Sequence, residues 1–108
     1  MELSFKSKKL RALCERNQEA NEQLGEVLAR LLHDALAELR AAPSIADIAD
    51  WENRMKRGKR DRLLFEFGTK FSISFGPNHI NNPVNEDGKV DWGNVSSLKI
   101  LKVETTDA

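Results

Sequence analysis

The residues most able to do chemistry in this chain stand in one stretch. Arg54, Lys56, Arg57, Lys59, Arg60 and Arg62 fall within residues 54–62 with Asp61 as the only acid, a local charge of +5. Guanidinium and ammonium groups packed this densely can hold phosphate oxygens and offset charge that builds on a phosphorus centre. The same run also fits a solvated turn that binds nothing. The excess is local. Residues 1–43 carry 7 basic and 7 acidic side chains, three lysines meet five acids from Gly76 onward, and the formal net charge is zero. A zero sum speaks against non-specific coating of nucleic acid.

Groups for proton transfer or nucleophilic attack are sparse. The single cysteine, Cys14, rules out an intramolecular disulfide framework and a cysteine-rich zinc site. Its spacing from Leu10 and Leu13 makes it a small apolar group of a helix core rather than a nucleophile. The two histidines, His33 and His79, are too far apart for a local metal motif. His33 is expected on the polar face of a helix and His79 on a long loop, the only other imidazole that could fold over a sheet. A small metal or redox protein has no supporting residues.

The elements that must position the basic run are read from periodicity. Leu3 and Phe5 alternate with Glu2, Ser4 and Lys6, which predicts a short strand. Ser7 can cap a helix through Leu10, Leu13 and Cys14. Asn17 to Asn21 is polar and reads as a break or a second cap. Leu24, Leu28, Leu31, Ala35 and Leu39, widened by Val27, Leu32 and Leu36, predict the main helix. Gly25 sits inside that stripe, where it could permit close packing. Pro43 ends the helix, and Ser44-Ile45-Ala46-Asp47 has the form of a capping signal for a short helix, with Trp51 covering the core edge.

The period then changes to two. Leu63, Phe65 and Phe67, a turn at Gly68-Thr69, then Phe71, Ile73 and Phe75 predict a β-hairpin with one aromatic, buried face. Glu66, Lys70, Ser72 and Ser74 are expected on its wet face. Residues 76–94 have loop composition and read either as a surface insertion or as a functional segment. Val95 to Val103 reads as a last strand, and residues 104–108 as a frayed tail.

The chain of 108 residues has 40% hydrophobic and 31% charged residues, which suits one globular domain over 1–108. No apolar run approaches the ~20 residues of a membrane span, and the opening residues lack a signal-peptide core, so a cytoplasmic protein without membrane contact is expected. The expected class is α+β, with two N-terminal helices packed on one face of a small antiparallel sheet in the order β-α-α-β-β-β.

Several segments, in this order, resemble the RelE/ParE superfamily of type II toxins, most of all its HigB-like plasmid maintenance killer branch. Phe5-Lys6-Ser7-Lys8-Lys9-Leu10 is similar to the family's opening, and Leu36 to Pro43 to its helix end. Lys70 to Pro77 lies where the family has an aromatic-R-L-I-F-E-P strand. Glu86 to Trp92 resembles a loop of this branch, and Val95 to Leu101 its last strand. The resemblance implies a RelE-like fold and a growth-inhibiting toxin held by a cognate antitoxin, commonly a helix-turn-helix protein. It further implies an mRNA interferase, an endoribonuclease acting on the ribosome through the RNA's own 2′-hydroxyl and needing no cofactor. On that reading Lys56, Arg60 and Arg62 are the catalytic charges, and Arg57, Lys59 and Lys70 bind RNA. The chain departs from the family where the proton chemistry would be. Ser72 replaces the strand arginine, Thr105-Thr106-Asp107 replaces the terminal D-Y-H, and the family's histidine is not evident near the basic run. Those departures imply weakened catalysis. They also leave open a non-catalytic binder on the same fold, one that inhibits gyrase or binds only an antitoxin.

Overall fold

Alternation decides the sheet, and the cations enter it at one edge. The computed structural model describes residues 1–67, 69 and 71–105. Gly68 of the expected turn, the RNA-binding candidate Lys70, and Thr106 and Asp107 of the tail lie outside the described residues. Strand β1 (Glu2–Phe5) is followed by helices α1 (Lys8–Glu15), α2 (Asn17–Leu24) and α3 (Glu26–Ala41), a 3₁₀ turn at Ile45–Asp47 and a single helical turn α4 (Trp51–Arg54). Strands β2 (Met55–Arg57), β3 (Leu63–Phe67) and β4 (Phe71–Pro77), a second 3₁₀ turn at Trp92–Asn94 and β5 (Ser97–Thr105) complete the chain.

The five strands form one sheet in the order β1-β5-β4-β3-β2. The α+β class is as expected, but the sheet is mixed rather than antiparallel, because β1 pairs with β5 in parallel, Leu3 opposite Leu98 and Phe5 opposite Ile100. Parallel neighbours need a long crossover, and here the whole chain between β1 and β5 supplies it. Leu63, Phe65, Ile73, Phe75, Leu98 and Ile100 are buried on one face, in one core with Leu32, Leu36 and Leu39 of α3. No helix among the described residues is long and apolar enough to cross a membrane.

Four expectations are corrected. The polar run from Asn17 is helix, not a break, held by Gln18–Glu22 and Glu19–Gln23 side-chain bonds and burying only Ala20. The break falls at Gly25, whose φ of 84° ends α2 and starts α3. Nothing lies within 4 Å of where its side chain would stand, so its role is the left-handed backbone and not close packing. The stripe of α3 is turned from the expected centre: Ala29, Leu32, Ala35, Leu36 and Leu39 are buried, while Val27 is 74% exposed. Residues 76–94 are not merely a surface insertion. They carry Val90 and Trp92 into the core, with Trp92 edge-on to Phe75 at 6.0 Å between ring centres.

Candidate nucleic-acid interface

The basic run builds an edge hairpin. Met55 is buried and anchors β2, Lys56 and Arg57 pair with Leu64 and Leu63, and the Gly58 N–H donates to the Arg62 carbonyl at 2.9 Å. Gly58 permits this closure, since a β-carbon there would meet Leu64 Cδ1 at 2.7 Å. Arg60 and Asp61 at the tip both have positive φ, 56° and 55°. Non-glycine residues pay roughly 1–2 kcal/mol each for that region, and such strain clusters where geometry serves function. Arg57, Lys59, Arg60 and Arg62 are exposed, and no carboxylate among the described residues lies within 4 Å of their charged nitrogens. The structure therefore gathers four of the expected residues at the hairpin.

Lys56 stands apart from them. It lies on the open side of the sheet, with its Nζ 2.8 Å from Glu66 Oε1. Arg54, counted with the run in the sequence, turns the other way. Its guanidinium donates to both carboxylate oxygens of Glu38 at 2.6 and 2.7 Å and covers the Phe65 ring at 5.1 Å. The bidentate bond from Arg54 holds the Glu38 carboxyl below its usual range. Arg54 thus ties α4 to α3 and is not part of the interface.

The open side of β3, β4 and β5 is a trough. In register, Ser72 lies between Glu66 and Glu104, and Ser74 between Leu64 and Lys102. The sequence places both serines on a wet face, yet they are only 0% and 4% exposed. Lys102 pairs with Glu104 at 3.0 Å, and Ser74 Oγ lies 3.5 Å from Glu104 Oε1 as its donor. Ser72 Oγ is buried with no hydrogen-bond partner among the described residues. An orphaned buried hydroxyl costs about 1–3 kcal/mol. A bulge between Ser74 and Phe75, which leaves Leu101 as the extra residue of β5, deepens the bend beside it.

The remaining candidates are structural. The His79 Nε2 accepts from the Ser96 and Ser97 N–H groups at 3.1 and 3.3 Å, so its ring pins the loop to the start of β5 and does not fold over the sheet. His33 is half-buried, with Nε2 3.4 Å from the Leu13 carbonyl, rather than fully solvated. Burial pushes the Cys14 thiol up to about 12, which leaves it a packing group and not a nucleophile. No cluster of three or more His, Cys, Asp or Glu among the described residues could hold a metal ion.

Sequence reasoning found the cations and missed the trough. Glu66, Ser72, Glu104 and Lys102 come from three strands, and only the cross-strand register brings them together. The one signal available was the polar alternation of Glu66, Ser72 and Ser74 against the aromatic face. Compared with known proteins, the chain matches no family model, no curated protein and no solved structure.

Proposed function

We propose that this chain is the toxin of a type II toxin-antitoxin pair, with a RelE-like fold of the HigB-like branch, and that it acts on RNA as an mRNA interferase on the ribosome. The observation that carries this reading is the edge hairpin: four exposed cations without carboxylate partners among the described residues, beside a sheet face lined with hydroxyls, carboxylates and ammonium groups. Phosphate contacts hold and orient an RNA strand without reading its sequence. Arg57 and Lys59 bind the backbone in this reading, and Lys56, Arg60 and Arg62 neutralise the phosphate that reacts. Lys70 is proposed to bind RNA on the resemblance alone. The partner is a small helix-turn-helix antitoxin, and the compartment is the cytoplasm.

A second reading, a binder of antitoxin or gyrase without nuclease activity, draws on one observation. Lys56, placed by the resemblance among the catalytic charges, is already neutralised by Glu66. Induced expression in a bacterial host separates the two. The toxin reading expects growth arrest with cut mRNA, relieved when the neighbouring small protein is co-expressed. Arrest with intact mRNA supports the binder, and neither arrest nor cleavage overturns both.

A further inference from the structure

Strand β5 is an inner strand for only part of its length. On the side away from β4 it pairs with β1 from Ser97 to Ile100. Strand β1 ends at Phe5, and the Lys6 N–H donates the last bond on that side, to the Ile100 carbonyl at 2.9 Å. Pairing with β4 continues to Thr105. Residues 101–105 therefore have a strand on one side and, among the described residues, none on the other. An open edge of this kind is a template for a further strand. The bulge at Leu101 falls where β1 stops, so the open length begins at the bulge. Beside the edge runs a groove lined by Leu10 and Leu13 of α1 and by Leu101 and Val103, all half-buried. Val103 lies opposite Ile73 on the core side of the sheet, while Lys102 and Glu104 lie on the open side, paired at 3.0 Å.

We propose that a second copy of this chain occupies the edge, its β5 antiparallel to the first about a twofold axis at Val103. A twofold interface must be self-complementary, residue i meeting j and j meeting i. The order Lys102-Val103-Glu104 has that property. Centred on Val103, the pairing sets Lys102 of each copy opposite Glu104 of the other, and the two valines meet at the axis. A slip to a centre on Lys102 or on Glu104 would put like charges face to face, which cross-strand pairing disfavours. Residues directly opposite in antiparallel strands share a face. The ammonium and carboxylate groups of both copies then form one network of four on the open side, and the two Val103 side chains meet on the groove side, beside Leu10 and Leu13. An edge kept free is commonly blunted with lysine. This one carries both signs, in self-complementary order about an apolar centre.

The test is sedimentation equilibrium of the full chain from micromolar to millimolar concentration, for wild type, Lys102→Glu and Glu104→Lys, with denaturation midpoints measured alongside. So short a seam belongs to the small class of interfaces, and wild type is expected as monomer and dimer in concentration-dependent balance. The Lys102 and Glu104 side chains are 63% and 36% exposed, so the reversals leave the core untouched. Each reversal turns both symmetric pairs from opposite to like charge and is expected to weaken the dimer at least about tenfold. The first variant presents two carboxylates at the seam and the second two ammonium groups. An equimolar mixture is therefore expected to regain the dimer that each has lost alone. A wild type that remains a monomer throughout overturns the proposal, whether or not a strand of another protein fills the edge. A dimer that ignores both reversals, or a mixture that stays monomeric, also overturns it.

Discussion

Strands β3 and β4 show two opposite faces built on one set of backbone hydrogen bonds. Phe65, Ile73 and Phe75 point into the core at 3%, 0% and 0% exposure, while Glu66, Ser72 and Ser74 alternate with them on the trough side. Both faces bury side chains, but burial means different things on each. On the dry face it removes apolar area from water, at ~25 cal/mol per Å². In the trough it leaves the Ser72 hydroxyl without a partner among the described residues and costs stability. The period of two therefore separates the residues that hold the fold from those offered for chemistry. Changes on one face should read out in stability, and changes on the other in RNA handling.

The largest effect that would break this separation belongs to the dry face. Phe75→Ala is expected to cost about 3–5 kcal/mol, a large share of the roughly 5–15 kcal/mol of a domain. An unchanged denaturation midpoint would contradict the core assignment. Trp92→Ala should fall at the low end of the same range, about 3 kcal/mol. That result would show by equilibrium unfolding that residues 76–94 belong to the core and are not dispensable decoration.

The trough should behave in the opposite sense. Ser72→Ala removes a buried hydroxyl that has no partner among the described residues, so it is expected to leave stability unchanged or raise it by up to about 1 kcal/mol. A clear loss of stability would show that the hydroxyl has a partner in solution.

The α3–α4 clasp sharpens the comparison through pH. The Glu38 carboxyl is held low by the Arg54 hydrogen bonds, so its contribution is full well above the ordinary carboxylate value of 4.5 and is lost as the pH falls below it. Both groups are more than a third exposed, so the pair is worth about 0–1 kcal/mol. Arg54→Ala should flatten that acid-side component of the stability profile without changing RNA binding. Arg57→Ala and Lys59→Ala should instead leave stability alone and each reduce the salt slope of RNA binding by about 0.7.

How much of this could be read in advance follows the same division. The hairpin of β3 and β4 was legible because Leu63 to Phe75 alternates cleanly, and the 3₁₀ turn after Pro43 because Ser44-Ile45-Ala46-Asp47 has the form of a capping signal, although Ser44 Oγ donates to Asp47 Oδ2 at 2.6 Å and neither side chain caps a backbone N–H. The phase of α3 was not, since apolar residues cover more than half its circumference and the packing of Leu32 and Leu36 against the sheet decides which side is buried. Strand β2 escaped because Met55 is its only apolar residue and the rest is cation. At the candidate interface the contiguous run of arginines and lysines was visible at once. The trough was not, because Glu66, Ser72 and Glu104 become neighbours only through pairing across β3, β4 and β5.

The central claim is that the basic hairpin handles RNA and is not a solvated turn. It is tested most directly by mRNA cleavage on programmed ribosomes, comparing wild type with a Lys56→Ala, Arg60→Ala, Arg62→Ala triple variant at equal folded fraction. Removing these charges is expected to lower cleavage by at least about a hundredfold while the denaturation midpoint stays in place. A triple variant that cuts as fast as the wild type would contradict the account.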